Sequence, residues 1–120
     1  MIRIYTTPGS TSCRKAKAWF KEHNISFIEK NIFSNTISTS EFKELLERST
    51  QGTDEVISSR AKYILDHNID LESMSINELV ELVQKEPSIL KRPIIVDERR
   101  FLVGFNEEEI RAFLPKEMRE

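Results

Sequence analysis

Cysteine occurs once in this chain, at Cys13, so an internal disulfide framework and a zinc site built on several thiolates are both excluded. So sparing a use of cysteine points to a reducing compartment, and the cytoplasm is expected. Glycine is scarce too, with three residues among 120. Neither the spacing of a phosphate-binding loop nor that of a dinucleotide-binding glycine turn occurs, so no cofactor is expected. The two histidines, His23 and His67, lack a cysteine or acidic partner at ligand spacing, and no metal site is expected. No stretch approaches the roughly 18 or more apolar residues of a membrane span. The N-terminus opens on a strand-like run instead of an apolar leader, so the expectation is a protein neither secreted nor inserted in a membrane. Positive charge is not in excess either: 18 Lys and Arg face 20 Asp and Glu, a net charge of −2. The broad positive field of an autonomous nucleic-acid binder is missing, and any action on DNA has to be indirect.

What the chain does have is enough apolar content, 38% of 120 residues, to bury the core of one domain spanning residues 1–120. Its charge is unevenly spread, since residues 1–30 carry six Lys and Arg against two Glu. A local basic face is compatible with that; a basic protein is not.

Ile2 and Ile4 alternate with Arg3 and Tyr5 before Pro8 and Gly9, which predicts a short half-buried strand and a turn. Ser10, Thr11 and Ser12 then precede a helical pattern in which Ala16, Trp19, Phe20 and His23 share one face, with Asn24 as its stop. Residues 25–32 read as a second strand, which makes a βαβ opening. The middle third is helical. Ser38 with Glu41 and Ser75 with Glu78 form two capping-box pairs, a helix is expected to end near Gly52, and Ser58 or Ser59 can cap another that carries Tyr63 and Ile64. After Pro93, the apolar Ile94, Ile95 and Val96, a charged turn and the stretch 101–103 predict a hairpin. Gly104 breaks it, and Asn106 with Glu109 caps a last helix carrying Ile110, Phe113 and Leu114. The order is βαβ, a helical insertion over about residues 36–90, then ββα. This is an α/β fold with a mixed sheet of thioredoxin-like layout.

Chemistry is concentrated at residues 5–16, YTTPGSTSCRKA, a loop that ends in a cysteine at a helix N-terminus. Unpaired amides and the helix dipole favour a thiolate there, and Arg14, Lys15 and Lys17 add positive charge, so a reactive thiol is expected. The alternative is a small buried side chain on the first helical turn. Trp19 and Phe20 are read as core packing, and the acids at 107–109 as first-turn residues favoured by the dipole.

With that loop, the blocks NIFS at 31–34, GTDE at 52–55, RPII at 92–95 and VGFNE at 103–107 lie in register with one family. Across its whole length the chain resembles the Spx family of redox-responsive transcription regulators, relatives of the thioredoxin-coupled arsenate reductases. The resemblance implies a Cys-x-x-Cys switch whose second cysteine is Cys13 and whose first falls on Ser10. A serine cannot form a disulfide, so the switch is disabled in this chain. Either a paralogue has lost it or the serine was introduced to hold the reduced form.

The resemblance further implies that Pro93 is a cis-proline opposite the redox loop, and that Arg92 and Arg60 support the switch or hold an anion. In the arsenate reductases three arginines suit a tetrahedral oxyanion, and the third position falls on Gly104 here. Without a nucleophilic thiolate at Ser10 and with an incomplete clamp, turnover is not expected. The implied function is global regulation of thiol and oxidative-stress genes through the C-terminal domain of the RNA polymerase α subunit, met by a surface that includes Gly52. DNA is then reached only indirectly, through polymerase. On composition and periodicity alone Gly52 reads as a helix C-cap. Family members also run on into a tail recognised by a cytosolic ATP-dependent protease and its adaptor; the chain stops at Glu120, so that tail is expected to be missing. An arsenate-reductase-like oxidoreductase and a thioredoxin-fold adaptor without either activity are the alternatives.

Overall fold

The structure, a computed structural model, describes residues 1–118, and Glu120, where the expected truncation falls, lies outside them. The chain divides into two units, one made of residues 1–31 with the chain from Arg92 onward, the other of residues 32–91.

In the first unit, β1 (Ile2–Thr6), α1 (Thr11–Glu22) and β2 (Phe27–Asn31) form the βαβ opening, and β3 (Ile94–Val96) with β4 (Phe101–Val103) forms the hairpin. The sheet order is β2-β1-β3-β4; β1 and β2 are parallel and the other pairs antiparallel. Ile4 lies opposite both Glu29 and Ile95, which puts β1 in the middle of the ladder. One core cluster joins Ile4 and Ile95 to Ala16, Trp19 and Phe20 of α1 and to Ile110, Phe113 and Leu114. The Phe20 and Phe113 rings meet edge to face at 5.8 Å. Each such large side chain removed from water contributes about 1.5–3 kcal/mol, so the periodic apolar face of α1 is what fixes the helix to the sheet.

β2 is shorter than the expected 25–32 because the Ile25 amide is already engaged. It donates to Phe20 O at 2.9 Å while Asn24, at φ 56°, donates to Lys21 O at 3.1 Å. These are the two bonds of a Schellman stop, with His23 as the cap residue. The His23 ring lies 4.2 Å from the Trp19 ring, and its Nδ1 is 2.8 Å from Trp19 O. At the hairpin, Asp97 Oδ1 accepts from the amides of Arg99 and Arg100 at 2.8 and 2.6 Å, which closes the tight turn between β3 and β4. The last helix is a 3-10 segment, Glu109–Phe113, instead of an α-helix. Its N-cap is Glu108, without a side-chain bond, and Asn106 Oδ1 shapes the turn ahead of it by accepting from the amides of Glu108 and Glu109, each at 2.9 Å. Leu114 turns extended, as the residue before Pro115 must, so no room is left to build α-helical turns.

The second unit contains α2 (Thr39–Arg48), α3 (Thr53–Val56), α4 (Lys62–Asp66) and α5 (Ile76–Lys85). Both capping boxes form: Ser38 with Glu41 at α2, and Ser75 with Glu78 at α5. The backbone and hydroxyl hydrogen bonds of Ser75 hold the Glu78 carboxyl below its ordinary range. α2 packs on α5, burying Phe42 and Leu45 from one and Leu79, Val80 and Val83 from the other. Gln84 Nε2 adds a bond to Ile37 O at 2.9 Å. A bridge between Ile57 and Leu90 ties the two ends of the unit together.

Two expectations in this unit are corrected. α4 is capped by Ala61 without a side-chain hydrogen bond, not by Ser58 or Ser59, because the Ser58 amide is drawn to Ile89 O at 2.8 Å beside the bridge. It ends in the same stop as α1: Asn68 at φ 50° donates to Leu65 O, Ile69 donates to Ile64 O, and His67 stacks on Tyr63 at 4.1 Å. The second correction concerns Gly52. α2 ends at Arg48 with Ser49 extended, so Gly52 is not its C-cap. Gly52 instead opens α3 with φ 71° and ψ −141°, outside the left-handed helical region and in a region only glycine occupies readily.

Candidate functional site

The loop at residues 7–10 leaves the end of β1 and enters α1 through Ser10. Ser10 is the N-cap, and its Oγ accepts from the Cys13 amide at 3.2 Å, while its carbonyl accepts from Arg14 at 3.1 Å. A serine at this position satisfies one of the four amides that a helix start leaves open, a contribution of about 1 kcal/mol. Cys13 is 1% exposed. The inward face of α1 carries Cys13 together with Ala16 and Phe20, so the thiol expected to be reactive is packed inside and is not presented at the surface.

The peptide bond between Arg92 and Pro93 is cis. Since Ile94 pairs with Tyr5, Pro93 lies at the end of the sheet where β1 runs into the loop at residues 7–10. Gly104, expected from the sequence to fall on the third clamp position, donates to Pro93 O at 2.8 Å, so two of the singled-out positions meet in one hydrogen bond. Gly104 has φ 83° and no atom within 4 Å of where a Cβ would stand, so the backbone conformation, and not a lack of space, disfavours a side chain at this end of the sheet. Arg92 is half-buried at the same sheet end, whereas Arg60 and Gly52 belong to the second unit, where Arg60 is exposed. Among the described residues no group of three or more His, Cys, Asp or Glu is placed to hold a metal ion, and no helix is long and apolar enough to cross a membrane.

One feature of the loop's surroundings escaped the sequence reading. Thr6, buried at 1% exposure, donates to Glu29 Oε2 at 2.7 Å, and Lys17 Nζ of α1 lies 3.0 Å from the same oxygen. Burial raises the Glu29 carboxyl, but the bonds from Thr6 and Lys17 and the charges of Lys17 and Lys21 outweigh it and leave it below its ordinary value. The network fastens α1 to both parallel strands just below the loop. An acid in a strand beside a lysine-rich helix was the available signal.

A four-stranded mixed sheet, a crossover helix that starts at a cysteine loop and a cis-proline at the sheet end facing it define a thioredoxin-like protein of the arsenate-reductase type. The fold of the arsenate reductase from Vibrio cholerae superimposes with a TM-score of 0.82 over 94% of this chain and 97% of that one, at 18% identity. An ArsC family related protein from Bacteroides fragilis does so at 0.76 and 26% identity, over 92% and 97%. The ArsC family model matches residues 5–113. Relatives called Global transcriptional regulator Spx are 52% identical in Listeria innocua and 50% in Bacillus subtilis, each over 99% of this chain and 91% of the relative. The chain belongs to the ArsC family and, within it, to the Spx proteins.

Proposed function

We propose that this chain is a global transcriptional regulator that works by binding the C-terminal domain of the RNA polymerase α subunit, and that it acts on thiol and oxidative-stress genes in the cytoplasm. The full-length likeness to proteins named as such regulators carries the reading. The site's chemistry supports it: Ser10 serves as a helix cap and cannot pair with Cys13, so the redox switch of the resembled family stands permanently in its reduced form. Gly52 is read as part of the polymerase-binding surface, with DNA reached through polymerase, and Arg92, Arg60 and Pro93 as supports of the switch loop. Residues 1–120 are read as one domain.

The fold neighbours favour a second reading, an arsenate-reductase-like enzyme. Ser10 in the nucleophile position and Gly104 in the clamp speak against turnover. Calorimetry of the chain with the isolated polymerase α C-terminal domain tests the first reading. A one-to-one complex is expected, and no heat of binding would reject it.

A further inference from the structure

The outward face of α1 serves neither the fold nor the redox loop. Cys13, Ala16, Trp19 and Phe20 turn inward, while Thr11, Arg14, Lys15, Ala18 and Lys21 are exposed. Positions 11, 14, 18 and 21 follow one another at spacings of three and four and so form a single stripe, which Lys15 flanks. At 1.5 Å per residue, Arg14 and Lys21 stand about 10 Å apart along the axis.

Within the chain these charges are poorly answered. Lys17 is neutralised by Glu29 at 3.0 Å. Arg14 reaches only the uncharged Thr11 hydroxyl, at 3.2 Å. Lys21 acts on Glu29 through its field alone, and among the described residues neither Lys15 nor Lys21 forms an ion pair. Arg14 also closes the first helical turn, which holds no acid, and Lys15 follows it directly. A cation is disfavoured there by the positive end of the dipole. Folding gains nothing from this arrangement, and an anion outside the chain would.

We infer that this face lies against the nucleic-acid backbone in the transcription complex, with Arg14, Lys15 and Lys21 contacting phosphates. The choice of nucleic acid among polyanions rests on the proposed role in transcription. Ala18, a short side chain in the middle of the stripe, lets a rod-like duplex approach closely. Three phosphate contacts correspond to a salt slope of about 3. That is enough to strengthen a complex already delivered to DNA by polymerase, and too little to hold a protein of net charge −2 there alone.

Two measurements test the inference separately from the proposed function. In the first, a short DNA duplex is titrated at low salt into the isotope-labelled chain without any polymerase subunit. The amides of Thr11, Arg14, Lys15, Ala18 and Lys21 are expected to shift, and the combined variant Arg14→Gln, Lys15→Gln, Lys21→Gln is expected not to respond. Glu22→Gln, which removes the exposed acid one turn beyond Ala18, is expected to bind at least twofold more tightly, a gain that misfolding cannot produce. In the second, the polymerase α C-terminal domain is titrated in the absence of DNA, where the combined variant is expected to match the parent. Silence of the α1 amides, an unaltered response in the combined variant, or an equal response to poly-glutamate would overturn the inference, the last by making the face a site for acidic protein. Failure in the second measurement by the parent chain would reject the proposed function instead.

Discussion

The Ser10 hydroxyl oxygen stands 3.2 Å from the Cys13 amide nitrogen and accepts its hydrogen bond, so the residue expected at the first switch position serves the helix start. Sulfur is a weaker acceptor than a hydroxyl oxygen. The reduced Ser10→Cys protein is therefore expected to be less stable than the parent by about 1 kcal/mol in urea unfolding. It should also regain the switch. Diamide is expected to consume both thiols without forming dimers, and two thiols still titratable after treatment would count against pairing between positions 10 and 13.

Gly52 gives a test in which strain and obstruction separate. Its φ of 71° and ψ of −141° burden any other residue, yet an added Cβ would meet nothing within 4 Å. Gly52→Ala, Gly52→Asn and Gly52→Arg should each lose about 1–3 kcal/mol of stability, with no exemption for asparagine, because the backbone is not left-handed helical. Binding should divide them: Gly52→Ala keeps most of its affinity for the polymerase α C-terminal domain, and Gly52→Arg loses it. Near-parental affinity for Gly52→Arg in calorimetry would take this glycine out of the interface.

Glu29 links stability to pH. Its carboxyl lies below the ordinary value of 4.5 in the folded chain, so it binds a proton less readily there than in the unfolded chain. The stabilisation is present above pH 4.5 and fades as the pH falls through the lower folded value. Its side chain is 38% exposed and solvent screens the effect. Glu29→Gln is expected to flatten the acid side of a melting-temperature profile between about pH 5 and pH 3. A variant whose acid limb matches the parent's would show that the Thr6 and Lys17 bonds do not hold the charge.

Arsenate reduction is expected to be absent with glutathione, glutaredoxin or thioredoxin as reductant. Cys13 is buried, Ser10 is no thiol and Gly104 supplies no guanidinium. Turnover above that of a Cys13→Ala control would require an enzymatic reading.

Elements with a strong local signal were legible in the sequence. Ser38 with Glu41 and Ser75 with Glu78 announced two helix starts through reciprocal capping, and the alternation around Ile4 and the run at Ile94 announced the strands. Where several local signals competed, contacts from elsewhere in the chain decided the outcome. Gly52 follows the apolar Leu45 and Leu46, which suggests a helix still in progress, but Ser49 turns extended first. Ser58 and Ser59 look like caps, yet a bridge that depends on Leu90, far along the chain, claims the backbone there. The Thr6, Lys17 and Glu29 network was hidden for the same reason, since it exists only once β2 lies parallel to β1. At Cys13 the residue type signals chemistry, and packing of the α1 face decides its exposure.

The His-Asn-Ile sequence that closes both α1 and α4 uses only bonds made within residues 19–25 and 63–69. Such a stop operates before any sheet exists. In a nascent chain these two segments can reach their final lengths early and fluctuate as correctly bounded helices, leaving the slower search to contacts of large sequence separation, above all the pairing of β1 with β3 across some ninety residues. The histidine stops therefore act as punctuation in time: they narrow what the chain has yet to find when its C-terminal hairpin emerges.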